Sequence, residues 1–157
     1  MQMAGSKKFT SRTSWRAKLE RAQEPKWEET PKGRMYIPTP LEVNALMRRV
    51  GDGELTTVAH IRQHLAVSRG ADYACPLCTG IFVRIAAEAA EEDVREGRGP
   101  ITPYWRTLAT GGYLNGKYPG GVDVQAERLR CEGHAIAPAQ GRKPPRVEEF
   151  ERWLARL

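Results

Sequence analysis

Thr102-Pro103-Tyr104-Trp105-Arg106, taken together with Tyr118-Pro119-Gly120-Gly121 downstream, is the stretch on which the reading of this chain turns. Proline and glycine turns bracket a short apolar segment that holds an aromatic pair and an arginine. A long helical pattern precedes it and a shorter one follows. Aromatic faces beside a guanidinium suit stacking on a flat ligand such as a base. A packed aromatic corner satisfies the same residues. The stretch alone leaves both open, so its neighbours have to be weighed.

Upstream, three helices are legible. Thr39-Pro40-Leu41-Glu42 combines a capping threonine, a proline at the first helical position and the glutamate of a capping box. Leu41, Ala45 and Leu46 are expected on the inner face, and Gly51-Asp52-Gly53 ends the helix. The second helix runs from its cap at Thr57 to about Ser68, with Val58, Ile61 and Leu65 on one side and Gly70 in its C-terminal turn. The third and longest is entered through Cys75-Pro76. Leu77, Ile81, Phe82, Ile85 and Ala89 are expected to form its buried stripe, and it stops by Gly97-Arg98-Gly99-Pro100. Two helices joined by a short connection resemble a helix-turn-helix or winged-helix unit.

Downstream lie a glycine-rich loop over residues 111–121 and a fourth helix carrying Val122, Ala126 and Leu129. A basic linker from Gly141 to Pro145 leads to Val147–Leu157. There Phe150, Trp153, Leu154 and Leu157 follow an i, i+3, i+4, i+7 spacing, which predicts an amphipathic C-terminal helix that buries its face on the domain or on a protein partner. The expected organisation is therefore a basic, largely disordered leader over 1–35, a domain over 36–137, and a linker plus C-terminal helix over 138–157. Within the leader, Ser14 to Ala22 reads as a possible short helix whose Trp15 and Leu19, at i and i+4, could dock it.

Composition narrows the classes. A chain of 157 residues suits one domain with a real core. No apolar run approaches the roughly 20 residues of a spanning helix, and the N-terminus lacks the apolar middle of a secretory signal, so no membrane partner and a cytoplasmic home are expected. Three cysteines, an odd count, argue against a disulfide framework in that compartment. The net charge of +6 is uneven: residues 1–34 hold nine basic against four acidic side chains, and the rest holds 16 against 15. A basic arm on a near-neutral domain suits salt-sensitive contact with phosphates, and equally a solvated tail.

From about Pro40 to His134 the order of these pieces resembles the DNA-binding domain of methylguanine-DNA methyltransferase and of its alkyltransferase-like relatives. The matching pieces are Gly53-Glu54-Leu55-Thr56-Thr57 opening the second helix, Gly80 within the third, Pro103-Tyr104-Trp105-Arg106 where the family has Pro-Cys-His-Arg, then Tyr118-Pro119-Gly120-Gly121 and Glu132-Gly133. The resemblance implies a mainly α, winged-helix-like (helix-turn-helix) fold with few or very short strands. It implies double-stranded DNA as partner, with Thr57, Leu77, Thr79, Gly80 and Arg84 on the DNA side. A base pocket would be bounded by Thr102, Pro103, Tyr104, Trp105, Arg106, Tyr118 and Glu132.

The departures bear on chemistry. The alkyl-accepting cysteine corresponds to Tyr104 and its histidine to Trp105. The family's transfer needs a thiolate, and a phenol of ordinary pKa near 10 is a poor substitute, so no catalysis is expected. The family's base-flipping tyrosine corresponds to Val58 and its intercalating arginine falls near Leu77. Pro103, Tyr104 and Trp105 either line a remnant pocket or fill it.

Cys75-x-x-Cys78 with Cys131-x-x-His134 has the spacing of a Cys3His zinc site. Free cysteines packed at helix ends explain the same residues and are favoured here, so no cofactor is expected. The acidic run Glu88 to Asp93 reads as a solvated helix end. The reading that results is a non-catalytic DNA-binding protein, with recognition of alkylated or damaged guanine as its possible role in repair. The alternative is a protein-interaction module on the same scaffold without DNA binding. No Ser/His/Asp trio or phosphate loop points to another enzyme class.

Overall fold

In the computed structural model, residues 13–157 are described. Four main helices dominate, with short strands between them, as the resemblance implied. The helices are α1 (Trp15–Glu20), α2 (Pro40–Arg48), α3 (Val58–Arg69), α4 (Pro76–Arg95) and α5 (Gly121–Cys131), α1 being the shortest. The strands are β1 (Lys26–Thr30), β2 (Gly33–Ile37), β3 (Thr56–Thr57), β4 (Tyr73–Ala74), β5 (Thr107–Leu108), β6 (Ile136–Ala137) and β7 (Arg146–Val147).

The helix starts are where local chemistry puts them. Thr39 caps α2 with both halves of the capping box formed by Glu42, and Pro40 stands in the first turn. The Thr57 hydroxyl accepts from the His60 N–H and starts α3, while Gly70, in the left-handed conformation, ends it. From there the chain needs only β4 before α4 begins, so α3 and α4 form the expected helix-turn-helix. Strands β3 and β5 pair in parallel, which ties the Tyr104–Arg106 turn to the start of α3.

The helix faces are partly different from expectation. On α2, Val43, Leu46 and Met47 are buried, and Leu41 is exposed together with Ala45. On α4 the buried face is Thr79, Val83, Ala86, Ala87, Ala89, Ala90 and Asp93, with Phe82 and Ile85 partly buried against the core as expected, whereas Leu77 is 72% and Ile81 47% exposed. Small residues let the long helix press close to α1 and α2 (the core also holds Tyr36, Met47, Ile61, Leu65, Tyr104 and Tyr118), and the bulky residues are left outside. A second cluster of Leu55, Leu108, Leu114, Ala126, Leu129, Val147 and Phe150 packs beneath α5.

Two ends of the chain depart from the expected organisation. The stretch 1–35 is not a loose leader where it is described: α1 docks on α4, and β1 pairs with β2 in an antiparallel hairpin that continues through β2 to β4. Pro31 and Gly33, which look like breakers, make the hairpin turn. Gly33 has φ +120°, and a Cβ there would lie 2.5 Å from the Asp72 carboxylate, so only glycine fits. Residues 1–12 lie outside the described part. At the other end the amphipathic helix over 147–157 does not form. Val147 belongs to β7, Glu149 sits at φ +52°, and only a 3-10 turn covers Phe150–Trp153. The Trp153 carbonyl and the Ala155 N–H bond to the backbone of Leu55 (2.8 Å each) instead of to their own helix. Phe150 is buried, and Trp153 and Leu154 are exposed. Among the described residues no helix is long and apolar enough to cross a membrane.

Candidate nucleic-acid interface

The site expected around Tyr104 and the surface expected on α4 lie beside each other, and they have opposite character. Tyr104 is fully buried. Its ring meets Trp105 and Tyr118 edge-on at 5.4 and 5.2 Å, and its hydroxyl donates to Glu91 at 2.7 Å. The Tyr118 hydroxyl donates to the Thr107 carbonyl at 2.8 Å. Burial, then the neighbouring Glu91, push the Tyr104 phenol far up, and burial does the same for Tyr118, so both stay protonated. The Trp105 indole N–H donates to Glu132 at 3.0 Å, and Arg106 grips the same carboxylate at 2.7 Å while donating to the Val50 carbonyl at 2.8 Å. Burial opposes the charge on Glu132, but the bonds from Arg106 and Trp105 outweigh it and hold that carboxyl below its ordinary range.

Of the two readings of this box, packing prevails. Thr102, also buried, donates to Asn44 at 2.8 Å, and Pro103 carries the chain into the turn. Glu132 is occupied by Trp105 and Arg106. The box offers neither a free nucleophile nor an open wall for stacking.

The acidic run is likewise consumed. Glu91 accepts from Tyr104 and from Arg128 (2.9 Å), and Arg128 lies 4.3 Å from the Trp105 ring. Glu92 accepts from the backbone N–H groups of Trp15 and Arg16, satisfying the open start of α1. Asp93, buried, takes a fork of bonds from Arg16 at 2.8 and 2.6 Å. The expectation of a solvated helix end is therefore corrected: these carboxylates are the socket of α1 and the lid of the aromatic box. Sequence spacing carried one hint of this, the Trp15/Leu19 pair that marked α1 as a docking helix.

The first half of α4 faces solvent. Leu77, Gly80, Ile81, Arg84 and Ile85 form one wall of a groove of about 570 Å³, α1 supplies Trp15 and Lys18, and the loop after β5 supplies Ala109, Asn115 and Lys117. Lys18, Arg84 and Lys117 are its charged lining residues, and no carboxylate is among them. The Lys18 ammonium lies 4.3 Å over the Trp15 ring. Gly80 is unusual: it is exposed, helical, and a Cβ built on it meets nothing within 4 Å. Of the residues expected on the DNA side, Leu77, Gly80 and Arg84 are thus brought together. Thr57 and Thr79 are not, being buried in backbone roles, with Thr79 donating to the Cys75 carbonyl at 2.7 Å. Lys18 and Lys117 were not singled out beforehand, and Trp15 was marked only as a docking residue, because what joins them to α4 is contact between distant segments.

The zinc grouping is not assembled. Among the described residues no three His, Cys, Asp or Glu side chains gather as metal ligands. Cys75 is buried at the start of α4, Cys131 is exposed at the end of α5, and His134 is buried with its ring edge-on to Trp153.

No family model matches the chain, and no curated protein sequence does. Among solved structures, S. pombe Atl1 in complex with damaged DNA containing O6-carboxymethylguanine is similar, with a TM-score of 0.50 over 75% of this chain and 94% of that one, at 15% identity. At that identity the likeness concerns the fold.

Proposed function

We propose that this protein binds double-stranded DNA without catalysis, through the first half of α4 and the groove beside it. The observation that carries this is Gly80. A glycine inside a helix costs roughly 0.5–1 kcal/mol relative to alanine. Gly80 has an ordinary helical backbone and open space where a Cβ would stand, so packing within the protein does not explain it. Close approach of a partner backbone does. The same face is free of carboxylates from Pro76 to Ala87, and Lys18, Arg84 and Lys117 stand around it. Recognition helices commonly meet DNA with their N-terminal turns. The fold is similar to that of Atl1, whose structure contains damaged DNA, which supports DNA as the partner.

Alkyl transfer is not part of the proposal. The position of the acceptor thiol in the resembling family is a buried, protonated phenol bonded to Glu91. A damaged guanine turned out of the duplex would also find the aromatic box filled, and the groove, with Trp15, Leu77 and Ile81 as apolar walls, is the space that can receive it. The rival reading, a protein-interaction module, took the C-terminal stripe and the Trp15 helix as its interfaces; the stripe forms no amphipathic helix, and the Trp15 helix is docked on α4.

Fluorescence anisotropy with plain and O6-alkylguanine duplexes, at two salt concentrations, tests this. Three cations on phosphates give a slope of log affinity against log salt of about −3. Absence of binding in low salt removes the proposal; equal affinity for both duplexes removes damage recognition and leaves DNA binding.

A further inference from the structure

Cys75-Pro76-Leu77-Cys78 is a Cys-x-x-Cys pair whose zinc partners are missing, and its geometry suits a different chemistry. Cys75 is the N-cap of α4 and Cys78 lies in the first turn. Pro76 and Leu77 are helical, which holds the two Cα atoms about 5 Å apart, inside the roughly 4.4–6.8 Å that a disulfide spans. The Cys75 side chain already turns over the helix start, where its Sγ accepts the Cys78 N–H at 3.4 Å. Cys78 is half-buried and Cys75 buried.

We propose that Cys75 and Cys78 are a reversible dithiol–disulfide pair, oxidised by a small-molecule disulfide such as oxidised glutathione. Cys78, the more accessible sulfur, attacks the small disulfide; its S–S bond breaks, a Cys78–glutathione disulfide forms, and one glutathione thiolate leaves. Cys75, placed by the Cys78 N–H, then attacks the Cys78 sulfur and expels the second glutathione. In total the protein gives up two electrons and two protons, and one oxidised glutathione becomes two reduced ones. Burial, and then the neighbouring Cys75, push the Cys78 thiol up to about 11, so its attack on the small disulfide quickens as pH rises toward that value. The third cysteine, Cys131, is exposed at the end of another helix and serves as an internal control.

The test uses the intact, unmodified protein. It is equilibrated in glutathione buffers from fully reduced to fully oxidised, quenched in acid, alkylated with iodoacetamide while denatured, and cut with trypsin. Cleavage after Arg69 and Arg84 yields residues 70–84, which contain both cysteines. The expected result is two alkyl groups on this peptide in reduced buffer, and in oxidised buffer none, with a mass lighter by two hydrogens. Cys75→Ser should trap glutathione on Cys78. A peptide that stays doubly alkylated throughout the series, or a wild-type peptide that accumulates glutathione without closing, would overturn the proposal. A Cys75→Ser protein that takes up no glutathione would overturn the assignment of Cys78 as the entry sulfur.

Discussion

Two regions meet along α4 and treat similar side chains in opposite ways. Around its second half, with the Tyr104 box, every carboxylate from Glu88 to Asp93 has a cationic or hydrogen-bonding partner inside the molecule, and the aromatic rings face one another. Around its first half, aromatic, aliphatic and cationic groups of the same kinds stand open to solvent beside a groove. The difference teaches that residue type at a position does not make a binding site. A site is what remains after the protein has satisfied its own polar groups, and here the surplus lies around a groove lined by Lys18, Arg84 and Lys117, of which Arg84 reaches Glu88 at 3.7 Å, and by no carboxylate.

This contrast can be broken most forcefully in the box. Tyr104→Ala removes a filled aromatic volume and leaves Glu91 without its donor, so we expect a loss of about 3–5 kcal/mol in urea unfolding. A loss below about 1 kcal/mol would mean that the box is not the solid region described. Next comes Glu132→Ala, which leaves Arg106 nearly buried without its carboxylate (side-chain exposure 14%). We expect about 3 kcal/mol of destabilisation, and much less when Arg106 is replaced as well, as a double-mutant cycle would measure.

The same region predicts an acid limit. For Asp93 and Glu132, burial raises the carboxyl pKa, but the bonds from Arg16 and Arg106 outweigh it and leave both folded values lowered. A lowered folded pKa contributes stability that is fully present above the unfolded values of about 3.9 and 4.3. That contribution fades as pH falls through the folded values. Urea midpoints should therefore be flat with respect to these two groups at neutral pH and drop steeply below about pH 4.

The groove sharpens the contrast with smaller effects. Gly80→Ala should raise stability by up to about 1 kcal/mol and at the same time weaken DNA binding, opposite signs that a purely structural glycine does not produce. Leu77→Asp should change stability by no more than about 0.5 kcal/mol, as befits a surface position, while reducing affinity for duplex DNA. Affinity unchanged in both variants would leave the groove without its proposed role.

How much of this was legible beforehand varied with the range of the interactions. Thr39, Thr57 and Gly70 gave away their helix ends because caps act within four residues. The β1–β2 hairpin was obscured because its turn contains Pro31 and Gly33 and its first strand is exposed along nearly its whole length, without a clear alternation. The C-terminal spacing misled for the opposite reason. Its period was right, yet the backbone around Trp153 and Ala155 found better partners at Leu55. The α4 stripe misled as well, since the closest packing selects alanines and leaves Leu77 and Ile81 outside.

The chain of residues by itself determined the helix-turn-helix and the order of its main helices, since each follows from residue identity and near-neighbour geometry. Only the tertiary structure decided that the aromatic box is closed, that the acids of α4 are consumed, and that the groove beside Gly80 is open. Those outcomes depend on desolvation and pairing between segments as far apart as Arg16 and Asp93, or Trp105 and Glu132, and no local pattern encodes which charge will meet which partner.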